Sequence, residues 1–160
     1  MMEYTILCVD DEREVLESLL RDLEPFEQAG FRIESASSVI EAREVVAGLE
    51  TNQLALVLCD HLMPGITGVE FLIELAKNPN TRQARKVLVT GQAGLADTVK
   101  AVNQAGLDHY IAKPWTAAEM SKVVIDMLTG FVIAVDPAPQ RFAQYLDFGR
   151  IMEAVREREF

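Results

Sequence analysis

Five residues carry side chains that could do chemistry, and each closes a short apolar run. Asp10 and Asp11 follow Tyr4-Thr-Ile-Leu-Cys-Val9. Asp60 follows Leu54-Ala-Leu-Val-Leu-Cys59. Thr90 follows Lys86-Val-Leu-Val89, and Lys113 follows His109-Tyr-Ile-Ala112. Three acids, a hydroxyl and an amine would converge if those runs lay side by side. Carboxylate oxygens are ligands for a hard divalent cation, and an amine with a hydroxyl suits an anion. In open α/β sheets, ligands bind in the crevice outside the carboxyl ends of the strands.

The elements that would position these groups are legible. The runs are too short for helices and read as buried strands. Strands are expected near 4–9, 31–35, 54–59, 86–90 and 109–112, and helices near 12–24, 38–49, 68–77, 94–105 and 116–128. Such βα alternation argues for a parallel sheet with helices on both faces. Ser38-Val-Ile-Glu41, Thr67-Gly-Val-Glu70 and Thr116-Ala-Ala-Glu119 carry the capping-box pattern at helix starts. Val15, Leu16, Leu19, Leu20 and Leu23 form a stripe at helical spacing. Pro64, Gly65 and Gly68 make the segment after Asp60 a loop.

Each residue alone has an ordinary explanation. Paired acids after a strand commonly favour a helix N-terminus. An aspartate before a loop is usually a turn former, and a lysine is usually solvated. Together and in this order they resemble the receiver domain of two-component response regulators. The resemblance rests on Asp10-Asp11, Asp60 followed by Met63-Pro64-Gly65 and Gly68, Thr90, and Tyr110-Ile-Ala-Lys113-Pro114. It implies a doubly wound, five-stranded parallel sheet of flavodoxin-like order 2-1-3-4-5. It further implies that Asp60 is a phosphoacceptor, served by a sensor histidine kinase or phosphotransfer protein. Mg²⁺ would be held by Asp10, Asp11, Asp60 and the Leu62 backbone carbonyl. Thr90 and Lys113 would meet the phosphoryl oxygens, Tyr110 would be the switch aromatic, and Lys113-Pro114 would be a cis peptide. The chain would catalyse only its own phosphorylation and dephosphorylation.

Other readings of the same pattern fare worse. A haloacid-dehalogenase-type phosphatase also uses an aspartate nucleophile but needs a second acid two positions later, where this chain has Leu62. A flavin-mononucleotide binder needs a hydroxyl- or glycine-rich phosphate loop after the first strand. Asp10-Asp11-Glu12 would repel phosphate there unless a metal intervened. His61 reads as an exposed loop histidine. Trp115 reads as packing or as interface surface.

The chain has 160 residues, 49% of them hydrophobic, and a net charge of −10. No basic cluster could track a phosphate backbone, which argues against direct nucleic-acid binding. No run is long enough to span a membrane, and no secretory leader is visible, so a cytoplasmic setting is expected. Cys8 and Cys59 lack metal-ligand spacing and read as buried hydrophobes.

The receiver pattern ends near residue 128, leaving 129–160 as a C-terminal extension. Thr129-Gly130 reads as the end of the last receiver helix. Phe131-Val-Ile-Ala-Val135 reads as a strand or as more helix, and Asp136-Pro-Ala-Pro139 as a turn. Asp147 reads as the cap of a final helix. Phe131, Phe142, Tyr145, Leu146, Phe148, Ile151 and Met152 are too apolar to leave in water. The extension is therefore expected to pack against a second copy as a dimer arm, or else to fold back on its own receiver or serve as a connector to an output domain.

Overall fold

The computed structural model describes residues 1–91 and 94–159, with Leu95 by its backbone alone. Five parallel strands, β1 (Thr5–Val9), β2 (Arg32–Ala36), β3 (Leu54–Cys59), β4 (Arg85–Val89) and β5 (His109–Ile111), pair in the order β2-β1-β3-β4-β5. That is the order the resemblance implies. Between them run α1 (Arg13–Gln28), α2 (Val39–Ala47), α3 (Gly68–Lys77) and α4 (Leu95–Lys100). A π-helical turn, Ala101–Ala105, continues α4. After β5 come α5 (Ala117–Val135), a 3₁₀ turn (Pro139–Phe142) and α6 (Phe148–Arg158).

Alternation along the strands builds two cores. In β1, Ile6 and Cys8 join the layer beneath α1 and α5, while Leu7 and Val9 join the layer beneath α2 and α3. Strands buried on both faces read as continuous apolar runs for this reason. The same alternation parts the cysteines. Val9 is in register with Cys59, so Cys8 and Cys59 lie on opposite faces of the sheet. Both are free and buried, and burial pushes the Cys8 thiol up to about 12.

The capping motifs act as their spacing predicts. Thr67–Glu70 and Thr116–Glu119 close full capping boxes. Ser38 Oγ accepts the Glu41 amide at 3.1 Å, but the Glu41 carboxylate reaches one residue further back, to the Ser37 amide at 2.8 Å.

Two helix ends differ from expectation. α1 continues through Pro25 to Gln28, because Leu23 and Phe26 are both buried in the core. Gly30 then follows the helix end directly, at φ +101°, where a Cβ would be strained. Thr129-Gly130 does not stop α5, which runs on to Val135. Leu128, Thr129, Phe131 and Val132 are all fully buried, and that burial outweighs the roughly 1 kcal/mol cost of a helical glycine.

Residues 129–159 pack on the core beneath α1 and α5. After the turn at Asp136, Phe142 stacks on Phe31 with ring centroids 4.9 Å apart, and Tyr4 meets Phe131 edge-on at 5.1 Å. The Tyr4 hydroxyl donates to Asp136 Oδ2 at 2.7 Å, and Arg141 donates to the same oxygen at 2.7 Å. Burial works against ionisation of Asp136, but these donors outweigh it and hold the carboxyl below its ordinary range. Asp147 caps α6 by accepting the Arg150 amide at 3.1 Å, and Ile151 is fully buried. Most of the apolar groups that argued for a second copy are thus covered within the chain. Tyr145 and Phe148 remain exposed. Tyr4 and Phe31 precede their strands, so much of this packing gathers at the sheet edge opposite the acids.

Candidate functional site

The carboxyl ends of β1, β3, β4 and β5 bring Asp10, Asp60, Thr90 and Lys113 together. Asp10, Asp60 and Thr90 are buried. Lys113 Nζ donates to Asp10 Oδ2 at 2.8 Å and stands 3.4 Å from Asp60 Oδ2 and 3.5 Å from Glu12 Oε1. Asp60 Oδ1 accepts the His61 amide at 2.8 Å. Glu12, Asp60, Leu62, Thr90, Gly91 and Lys113 line a cavity of about 270 Å³.

Burial raises the Asp10 pKa, and the Lys113 ammonium and the Glu12 amide offset only part of that rise. Burial also works to lower Lys113, but its hydrogen bond to Asp10 and the charges of Asp10, Asp60 and Glu12 carry it upward overall. The amine therefore stays protonated among the acids.

Asp10, Glu12 and Asp60 form a group whose carboxylate oxygens lie within 4.8 Å of one another. Asp11, expected as a ligand, is exposed and stands outside this group. Asp10 Oδ1 accepts the Glu12 amide at 2.8 Å. Such a side-chain turn reverses the backbone locally, carrying Asp11 outward and Glu12 across the cavity mouth. Glu12 was the third acid of a visible run, but its facing depends on this turn and not on spacing. The donor set, all carboxylate oxygens, is the kind Mg²⁺ selects.

Several neighbours support the strand ends. The Tyr110 hydroxyl donates to the Thr90 backbone carbonyl at 2.8 Å, and the ring is about one-third exposed. Lys113-Pro114 is cis. Trp115 Nε1 donates to Asp22 on α1 at 2.8 Å, and its ring packs against the core beneath α1 and α5. His61 is buried, contrary to the expectation of an exposed loop histidine. Its Nδ1 accepts the Val69 amide at 3.4 Å, which fastens it to the first turn of α3. Gln92, two residues beyond Thr90, lies outside the described residues.

Gly68 leaves no room for a side chain. A Cβ there would sit 1.8 Å from the Asp60 carbonyl oxygen and 2.8 Å from its carbonyl carbon. Both obstacles are backbone, so neither can swing aside. Gly68→Ala is expected to cost about 3 kcal/mol, read from urea unfolding. A loss under about 1 kcal/mol would show that the loop relaxes freely and that Asp60 is not held by this contact.

Comparison with known proteins agrees with the geometry. The family model described as the response regulator receiver domain matches residues 6–125. A hydrogenase transcriptional regulatory protein, HoxA of Cupriavidus necator, is 37% identical over 113 residues, covering 71% of this chain and 22% of that protein. Response regulator Rre1 of Synechocystis is 29% identical over 124 residues, covering 78% of this chain and 51% of that protein. The chain thus spans between about a fifth and a half of these relatives. Among solved structures, a CheY-like response regulator receiver domain protein from Methanospirillum hungatei matches with a TM-score of 0.72 and 29% identity. That match covers 83% of this chain and 99% of the other.

Proposed function

The chain belongs to the response regulator receiver family, and from that premise we propose that Asp60 accepts a phosphoryl group from a sensor histidine kinase or phosphotransfer protein and thereby switches protein contacts. The observation that carries this reading is Lys113 Nζ, which lies between the buried carboxylates of Asp10 and Asp60 at the wall of an open cavity.

An oxygen of the Asp60 carboxylate attacks phosphorus, and the bond from phosphorus to the donor breaks. The donor leaves with that bond's electron pair, and Asp60 becomes an acyl phosphate. Phosphoryl transfer of this kind depends on positioning and charge neutralisation more than on covalent help. The His61 amide fixes one Asp60 oxygen, leaving the oxygen beside Lys113 facing the cavity. Lys113 then pairs with a phosphoryl oxygen, and the Thr90 hydroxyl with another. Asp10, Glu12 and Asp60 would hold Mg²⁺, with the Leu62 carbonyl and the exposed Asp11 carboxylate as further ligands the resemblance implies. The bound ion supplies charge neutralisation between these acids and the incoming oxygens.

In this reading the chain catalyses only the phosphorylation and dephosphorylation of its own Asp60, in a cytoplasmic setting. No helix among the described residues is long and apolar enough to cross a membrane. The aspartate-phosphatase alternative has no acid at Leu62 to protonate a leaving group.

Incubation with acetyl phosphate and Mg²⁺ should add one phosphoryl group to the intact mass, and chelation of the metal should prevent it. A protein that gains no mass, or gains it equally in chelator, would refute the proposal.

A further inference from the structure

Asp60 has a second neighbour whose connections run away from the cavity. His61 gives its backbone amide to Asp60 Oδ1 at 2.8 Å, and its carbonyl accepts the Gly68 amide at 2.9 Å. Its ring is nearly closed off from water, with 5% of the side chain exposed. Nδ1 accepts the Val69 amide, which leaves the ring proton on Nε2. That nitrogen lies 3.3 Å from Asp97 Oδ2, and Asp97 is on α4.

Among its described side chains, α4 has few other anchors. None of its described side chains is buried, and Val99 is 48% exposed. The Thr98 hydroxyl bonds only locally, to the Gly94 carbonyl at 3.1 Å. The helix then passes into a π-helical turn, where the ladder of hydrogen bonds is already irregular. A weakly anchored helix responds to small changes at its few fixed points.

We propose that His61 is a positioning residue that ties α4 to the phosphoacceptor through Asp97. The inference rests on the reading of Asp60 given above. A group that loads onto the Asp60 oxygen beside Lys113 draws charge out of the carboxylate and so weakens the bond that its other oxygen accepts from the His61 amide. The backbone of residue 61 then shifts, and the ring carries that shift to Asp97. This route to α4 is separate from the contact between Tyr110 and Thr90. It needs no change in the charge of the imidazole.

The test uses the full chain labelled with ¹⁵N, with beryllofluoride and Mg²⁺ as the phosphoryl mimic. In the wild type, the amides of Gly91 and Lys113 should report loading, and those of Val99 and Lys100 should move with them. Asp97→Ala removes the half-exposed partner without touching the cavity. Gly91 and Lys113 should then move as before, while the response of Val99 and Lys100 shrinks by about twofold or more. Asp97→Asn keeps an acceptor oxygen and should restore most of the response. The imidazole ¹⁵N signals should show the proton on Nε2 in the wild type and should shift in Asp97→Ala. If Val99 and Lys100 respond equally in Asp97→Ala and in the wild type, the tie does not transmit. If Gly91 and Lys113 stay still in the wild type, the Asp60 reading itself fails, and the tie fails with it.

Discussion

An Asp60→Asn protein is expected to take up no phosphoryl group under conditions that label the wild type, a fall of about a thousandfold or more in rate. Asparagine has nearly the volume of aspartate, and its carbonyl oxygen can still accept the His61 amide that Asp60 Oδ1 accepts at 2.8 Å. The fold should therefore survive. What is lost is the nucleophile, since a neutral amide attacks phosphorus poorly. Also lost is one charge from the set around Lys113, which stands 3.4 Å from Asp60 Oδ2. Intact mass after treatment with acetyl phosphate and Mg²⁺ decides the matter, with unfolding midpoints as the control. Equal mass gains in the two proteins would move the acceptor elsewhere.

Phe142→Ala should destabilise the whole chain by about 3–5 kcal/mol, although residue 142 lies outside the segment matched by the family model. The ring is 3% exposed. It stacks on Phe31 and lies 6.1 Å from the Tyr4 ring, and the Arg141 guanidinium sits 4.1 Å above it. Truncation leaves a cavity bounded by receiver side chains, and the aromatic and cation–π contacts go with it. Urea unfolding at two protein concentrations separates this packing from a dimer arm. Packing within the chain gives the full loss at both concentrations. A loss below about 1 kcal/mol, or one seen only where copies associate, would mean that Phe142 serves a second chain.

The strand ends could be read from the sequence because both faces of the sheet are covered. Leu54–Cys59 is continuously apolar for that reason, and the first polar residue after it, Asp60, marks the edge. Thr90 and Lys113 mark the edge in the same way. Residues whose direction depends on a local turn were harder. Asp10, Asp11 and Glu12 are alike in the sequence, and only the bond from the Glu12 amide to Asp10 decides which of them face the cavity. His61 reads as a solvated loop residue because the partners of its ring, Val69 and Asp97, come from two later helices. The reading of Thr129-Gly130 as a stop followed local propensity, which the burial of Phe131 and Val132 overrides. The apolar residues of the extension, Phe142 among them, had to be covered, but composition could not say which surface would receive them. The answer depends on Tyr4 and Phe31, more than a hundred positions away in the chain.

The placement of the two cysteines has a practical consequence. Each thiol is sealed on its own side of the sheet, and burial raises both pKa values, so neither offers a thiolate to a reagent in the folded molecule. Since they belong to separate layers, alkylation at Cys8 times the parting of the α1–α5 layer, and alkylation at Cys59 times the parting of the α2–α3 layer. The protein thus carries two internal stopwatches, and whether they run at one rate or two tells whether its layers open together.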